Sequence, residues 1–384
     1  MDGKSSFKLS FWERESYFEN VDLLIIGGGI VGLNAARAVR ELKPSWKILV
    51  VDRGDFLPYG ASTRNAGFAC FGSMTELLDD LKVNSRSEVF GLVQRRWEGL
   101  KRLRAILKDE QIGYEELGGY EVFSHSESAI YNSCMSTADD FNKELEKITG
   151  KSNVYSEVNG RIDHFGFHQI GGMILNRCEG QLNTGAMMKA LLLLVREKQI
   201  EVLNGIEVKG WVVHGDKVQV ETGNGFSIPA QRVLITTNAF ARQLLPELQV
   251  EPGRAQVLVT KPVNGLKMKG AFHYDRGYYY FRNVGDRILF GGGRNLNFDG
   301  ERTYEFGLTD QIQQQLERLL KEMILPNDQF EVEQRWSGIM GLGPKKTTII
   351  RKTEERIYCA VRMGGMGVAI GSLVGEEAAA LLCS

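Results

Sequence analysis

The sequence predicts an α/β protein, α+β overall, in which a discontinuous Rossmann-like unit is joined to a second unit with a mainly antiparallel sheet. Three observations lead there. The apolar run Val21–Ile26 passes through Gly27-Gly28-Gly29 straight into a helical pattern, and a second apolar run, Ile48–Val51, ends at Asp52. Residues 253 to 300 alternate in the manner of strands, and the chain closes on Ile357–Val361, the glycine-rich stretch Arg362–Gly367 and an apolar helix.

The first element is the most informative. Gly27-Gly28-Gly29-Ile30-Val31-Gly32 has the spacing G-x-G-x-x-G between a strand and a helix, and Asp52 stands 20 residues beyond Gly32 at the end of the second strand. Gly27 permits the tight turn, Gly29 admits a pyrophosphate to the backbone, and Gly32 lets helix and strand pack closely. The unpaired N–H groups and dipole of the helix N-terminus favour phosphate charge, and Asp52 is placed for the ribose hydroxyls. A bare G-x-G-x-x-G is often only a turn; the strand, helix and acid together point to a bound dinucleotide.

Pro44 ends the first helix, predicted over 30–42, before a strand at 47–52. A small-residue segment, Gly60–Ala69, follows. Helical patterns run over 88–109 and 129–149, with a strand at Gly118–Phe123 between them. Asn183 or Thr184 caps a helix reaching Lys198. Beyond Val202 comes a hairpin, Trp211–Val213 with Val218–Val220, turning at Gly215-Asp216, and then the strand Val233–Thr236 with its Thr237-Asn238-Ala239 corner. A helix at 309–324 and a last one from about Ser372 to Leu382 complete the pattern. The first unit is expected to comprise 1–87, 176–240 and 336–384, and the second 88–175 and 241–335. Residues 1–20 read as an arm with Phe11 and Trp12 as its anchors.

Composition narrows the functional class. A chain of 384 residues suggests two domains, and 43% apolar with 25% charged residues suits a soluble globular protein. The net charge of −1 gives no reason to expect nucleic acid as a partner. Five scattered cysteines without a C-x-x-C fit a reducing cytoplasm and indicate no zinc site. No run approaches 18 apolar residues, so no transmembrane segment is expected, and no signal-peptide core stands at the N-terminus.

Four separated motifs resemble one family: Gly27–Gly32 with Asp52, Ala61-Ser62-x-x-Asn65-x-Gly67, Thr237-Asn238-Ala239, and Gly365-Met366-Gly367-Val368 before the last helix. In this order the chain resembles the FAD-dependent D-amino acid oxidase family in its broad sense, with glycine and sarcosine oxidases, D-amino acid dehydrogenases and γ-glutamylputrescine oxidases. The resemblance implies FAD, a substrate domain whose sheet roofs the flavin, and hydride removal from an amine-bearing carbon to give an imine. By match it places Gly27, Gly29, Ile30, Val31 and Gly32 at the pyrophosphate, and Asp52 with Arg53 at the ribose. Ala61, Ser62, Asn65, Ala66 and Gly67 line the phosphate and isoalloxazine side, with Val208, Thr237 and Asn238 as further cofactor contacts. Gly365, Met366, Gly367 and Val368 present N–H groups to the flavin's carbonyl edge, helped by a helix beginning near Gly371.

The chain departs from the family where an arginine usually follows the Trp-x-Gly strand: Trp336-Ser337-Gly338-Ile339 leads to Met340. Met363 and Gly364 likewise stand where a His or Arg is usual. Carboxylate recognition is therefore either absent or moved to another arginine such as Arg282 or Arg362. Members with covalent flavin use a Cys near Met340 or a His near the first glycine turn; neither is present, so the FAD is expected to be noncovalent.

Tyr278 to Gly291 read as a hairpin turning at Gly285-Asp286. Alternation puts Tyr279, Phe281, Ile288 and Phe290 on an apolar face, and Tyr278, Tyr280 and Arg282 on the other. Gly291 opposite Tyr280 leaves a gap, suggesting a roof for a small polar substrate; the plainer alternative is an ordinary sheet face. No metal centre is expected: His164 and His168 lack a third ligand, and Cys70 reads as a buried structural thiol. The basic run Lys101, Arg102, Arg104, Lys108 reads as a solvated helix face. The sequence thus reads as an oxidoreductase of a small amine or amino acid, with oxygen or an electron carrier as acceptor. Its rivals are a flavin-dependent 2-hydroxy acid or polyol-phosphate dehydrogenase and a non-catalytic flavin-binding protein.

Overall fold

The computed structural model describes residues 8–327 and 329–384, which divide into two compact units. Of the described residues one unit comprises 8–63, 184–252 and 340–384, and the other 64–183, 253–327 and 329–339. The first break thus falls at Thr63 rather than at residue 87. The reason is packing: Phe71, Met74 and Leu77 are buried in one cluster with Phe90, Trp97 and Phe141, all of the second unit. The return also comes later than 176, because Gly180–Gln181 pairs with Phe68–Ala69 in a two-stranded ladder of that same unit.

Among its described residues the first unit holds an eight-stranded sheet. Its parallel centre is Ile357–Val361, Ser227–Ile235, Val21–Ile26, Ile48–Val51 and Glu201–Leu203, each hydrogen-bonded to the next. The hairpin Val208–His214 with Lys217–Thr222 extends from Ser227–Ile235, and Ile349–Glu354 runs antiparallel at the other side. Leu23, Leu24 and Ile25 are wholly buried, as expected of strands covered on both faces. Each such side chain contributes roughly 1.5–3 kcal/mol on leaving water. The helix Ile30–Leu42 packs against the C-terminal helix Gly367–Cys383 at glycine distance. A Cβ on Gly371 would lie 2.6 Å from Ile30 Cγ2, and one on Gly375 would lie 2.7 Å from Asn34 Cβ.

Two expectations are corrected here. The last helix begins at Gly367, not near Gly371 or Ser372: the left-handed Gly364 and Gly365 turn the chain earlier, and Ala369 and Ile370 N–H already donate to Met366 O. Phe11 and Trp12 are not anchors, being 66% and 70% exposed. Phe18 takes that role, its ring 4.9 Å from that of Phe226.

The second unit carries an eight-stranded sheet among its described residues, with one parallel pair in an otherwise antiparallel centre. Ala271–Tyr274 lies between Gly119–Ser124 and Tyr279–Val284, and the latter pairs with Arg287–Gly292. Residues 293–300 are not strand: Gly293 turns left-handed (φ 79°) into a single 3-10 turn, Arg294–Leu296. Two of the predicted helices begin within two residues of their expected starts, Arg86–Leu107 behind a Ser85/Glu88 capping box and Ser128–Thr149. No helix among the described residues is long and apolar enough to cross a membrane.

Gly32 tests the close approach of helix and turn. A Cβ there would stand 2.0 Å from Gly27 O and 2.7 Å from Thr236 Oγ1. Gly32→Ala is therefore expected to cost roughly 2–3 kcal/mol through overpacking, measured as a lower urea midpoint than that of the wild type.

Candidate functional site

In the first unit the glycine turn is held from both sides. Gly27 adopts φ 111°, open to glycine, and its carbonyl accepts from Thr236 Oγ1 at 2.9 Å. A Cβ on Gly29 would lie 2.8 Å from Ser62 Oγ, which accepts from Ile30 N–H at 3.0 Å. The next N–H groups, of Val31 and Gly32, find no acceptor among the described residues, as the first turn of a helix requires. Asp52 closes the arrangement. Its Oδ2 accepts from Gly28 N–H at 2.8 Å, and its Oδ1 accepts from Gly54 and Tyr59 N–H at 2.9 and 3.0 Å. Arg53 lies over the Phe240 ring, 3.8 Å from its centroid. Val208 sits with its side chain in the core, so that only its main chain is available to a ligand.

The Thr237-Asn238 corner reaches the C-terminal loop within the same unit. Asn238 Oδ1 accepts from the N–H groups of Arg362 and Met363 at 3.0 and 3.2 Å. Thr237 Oγ1 is buried without a partner among the described residues. Met366 lies just before the last helix, so Gly367 and Val368 supply its first N–H groups. Arg362 is left-handed (φ 67°) and buried; its Nε donates to Thr347 O at 2.8 Å and its Nη1 to Gln249 O at 3.2 Å.

In the second unit, Asn65 Oδ1 accepts from Gly67 N–H at 2.9 Å, and Gly67 O accepts from Leu182 N–H at 2.8 Å. The tyrosine hairpin has the predicted register, with Arg282 opposite Leu289, Phe281 opposite Phe290 and Tyr280 opposite Gly291. Tyr279, Phe281, Ile288 and Phe290 are buried as the alternation requires. Arg282, however, is not aimed at a ligand. It is 6% exposed, and it donates from Nε to Ala66 O at 2.5 Å and from Nη2 to Leu182 O at 3.0 Å. Burial lowers its pKa to about 10, opposed by the charge of Glu115. Arg282 therefore spends its guanidinium donors on main-chain carbonyls, and Arg362 on two main-chain carbonyls and the Thr347 hydroxyl.

The gap above Gly291 is filled as well. A Cβ there would meet Val257 at 2.5 Å and the Tyr280 ring at 2.6 Å. Tyr280 packs edge-on to Phe68, and burial raises its hydroxyl to about 12. Tyr278 is 39% exposed, its ring 5.9 Å from that of Phe298. The residue that the sequence reading missed is Arg294. Its guanidinium lies 4.8 Å from the Phe298 ring centre and has no hydrogen bond or ion pair among the described residues. Only its place after Gly291-Gly292-Gly293, at the end of the tyrosine hairpin, could have drawn attention to it.

A buried polar cluster was also invisible in the sequence. Cys70 Sγ, a Glu179 carboxylate oxygen and a His273 ring nitrogen lie within 4.8 Å of one another. Burial raises Glu179 to about 8 and holds His273 down at about 4. Cys70 is buried, as expected. Of the basic run, Arg104 pairs with Asp109 at 2.7 Å.

A family model described as FAD dependent oxidoreductase matches residues 22–381. The chain belongs to this family of FAD-dependent oxidoreductases. Solved structures share its fold. L-proline dehydrogenase from P. horikoshii is 18% identical over 94% of this chain and 93% of that one, with a TM-score of 0.72. Glycine oxidase from Bacillus cereus ATCC 14579 is 17% identical over 94% and 97%, with a TM-score of 0.73. Iminodiacetate oxidase from Chelativorans sp. BNC1 is 16% identical over 94% of each chain, with a TM-score of 0.71. No curated protein sequence matches the chain.

The first unit of this FAD-dependent oxidoreductase fits its cofactor on two observations. Among the described residues, the N–H groups of Val31 and Gly32 are unspent beside glycines with no side chain to block an approach, and Thr237 Oγ1 is a buried oxygen without a partner. In the second unit Arg282 is expected to act on stability. Arg282→Ala leaves the carbonyls of Ala66 and Leu182 without donors and should cost roughly 2–4 kcal/mol. Denaturant melts of the FAD-loaded protein measure this, and Arg282→Lys should recover less than half of the loss.

Proposed function

We propose that this flavoenzyme removes a hydride from the nitrogen-bearing carbon of a small amine or amino acid, giving an imine that water hydrolyses. FAD, bound noncovalently, supplies the two-electron acceptor, and oxygen or an electron carrier restores it. The observation that carries the cofactor half is the glycine turn fixed by Asp52 and Thr236, with a helix N-terminus open behind it. Val31 and Gly32 N–H groups take the pyrophosphate charge, Asp52 takes the ribose, and Thr237 and the Gly367–Val368 N–H groups hold the remainder. The amine half is supported by the fold, which this chain shares with a glycine oxidase and a proline dehydrogenase.

Arg294 is our candidate for the substrate's carboxylate. Arg282 is committed to main-chain carbonyls and Arg362 to two of them and the Thr347 hydroxyl, Met340 stands at the family's usual arginine position, and Arg294, beside Tyr278, has no acceptor among the described residues. A guanidinium backed by an aromatic ring presents the planar fork that carboxylates accept. No general base is required of the chain: an amine bound as its free base needs positioning above all.

Two measurements test this reading. Asp52→Ala should weaken FAD binding about tenfold to hundredfold, since a charged acceptor is lost, and fluorescence titration of FAD into apoprotein checks it. Arg294→Met should raise KM for an amino acid roughly tenfold to hundredfold while sparing the corresponding amine without a carboxylate. Anaerobic bleaching of the flavin by a panel of amino acids, amines and 2-hydroxy acids supplies both substrates. Bleaching by hydroxy acids alone would sink the amine reading.

A further inference from the structure

The Cys70–Glu179–His273 cluster lies in the second unit and plays no part in the reading above. Its three residues come from three separate pieces of chain. Phe68 pairs with Gln181 and Ala69 with Gly180, so the same antiparallel ladder carries Cys70 to Glu179. His273 arrives from the large sheet, where it stands between Glu121 and Tyr280, and its ring lies 5.2 Å from that of Phe68. The three ligand-type atoms fall within 4.8 Å of one another.

Glu179 and His273 each have a ligating atom to spare. Glu179 is 1% exposed, and its Oε1 accepts from Phe71 and Gly72 N–H at 2.9 and 3.1 Å. That fixes the carboxylate and leaves Oε2 for another partner. Oε2 occupies room that only a glycine concedes, since a Cβ on Gly119 would lie 2.0 Å from it. His273 Nε2 is buried and has no hydrogen-bond partner among the described residues. A buried imidazole nitrogen without a partner, on a ring that stands beside a thiol and a carboxylate, is a costly arrangement unless something binds there.

We propose that Cys70, Glu179 and His273 form a zinc site. Sulfur, imidazole and carboxylate suit Zn²⁺, and three protein ligands leave a fourth position for water. A tetrahedral ion with bonds of about 2.0–2.3 Å sets its ligands about 3.5 Å apart, so side-chain rotations of about an ångström close the cluster. Charge balances: one thiolate and one carboxylate neutralise the ion. The neighbouring Arg96 and Glu76 neutralise each other at 3.0 Å, and Glu121 is engaged by Thr75. Binding converts the Cys70 thiol to thiolate and the Glu179 carboxyl, which burial keeps protonated near neutral pH, to carboxylate, and both protons pass to solvent; nothing is oxidised or reduced.

The test uses the full-length, FAD-loaded protein, incubated with zinc chloride, desalted and analysed for metal. About one zinc per chain is expected, with an X-ray absorption shell of one sulfur at about 2.3 Å and nitrogen or oxygen near 2.0–2.1 Å. Glu179→Gln keeps the acceptor for the Phe71 and Gly72 N–H groups but removes the charge, and should weaken zinc binding at least tenfold. Cys70→Ser should remove the sulfur shell. A zinc-free wild type, or a zinc shell without sulfur, overturns the proposal even if neither variant folds. Unchanged zinc content and spectrum in folded Cys70→Ser overturns it equally.

Discussion

Asp52 is the point on which the first unit turns. One carboxylate accepts three main-chain N–H groups, from Gly28, Gly54 and Tyr59, and so ties the glycine turn to the loop after the second strand. Thr236 secures the other side by donating to Ile26 and Gly27 carbonyls. The turn can be this tight only because Gly32 and Gly27 pass within what would be a Cβ clash. The result is a rigid, side-chain-free approach to a helix N-terminus, and the preorganisation costs nothing further when an anion arrives.

The arginines follow a related logic. A guanidinium carries five donors in a fixed plane and cannot lose its charge, so a buried one must be spent on acceptors. Arg282 binds the carbonyls of Ala66 and Leu182, and Arg362 those of Thr347 and Gln249. Both stabilise irregular segments whose carbonyls have no ladder to join, a structural task of the kind that any buried main chain imposes. Arg294 is different in kind: half-buried, backed by Phe298 and without an acceptor among the described residues.

Much of the fold was legible in the sequence because local patterns carried it. The strand, glycine turn and helix at residues 21–42, the capping box at Ser85 and the two-residue turn of the tyrosine hairpin depend on neighbours in the chain. Alternation therefore assigned the buried face of Tyr279, Phe281, Ile288 and Phe290 correctly. It assigned the opposite face only as a direction. Arg282 does leave the sheet on the side of Tyr278 and Tyr280, but what it meets there is the chain at Ala66 and Leu182, more than 99 residues away in sequence.

The sequence by itself determined the family, the glycine turn between strand and helix and the order of the principal strands and helices, since each is written in residues close together along the chain. Only the tertiary structure decided which polar side chains are spent and which are left over. The division at Thr63, the filled space above Gly291, an Arg294 unpaired among the described residues and the meeting of Cys70, Glu179 and His273 all depend on long-range packing. Periodicity reports the face from which a side chain leaves; its partner is set by segments that fold against that face from elsewhere.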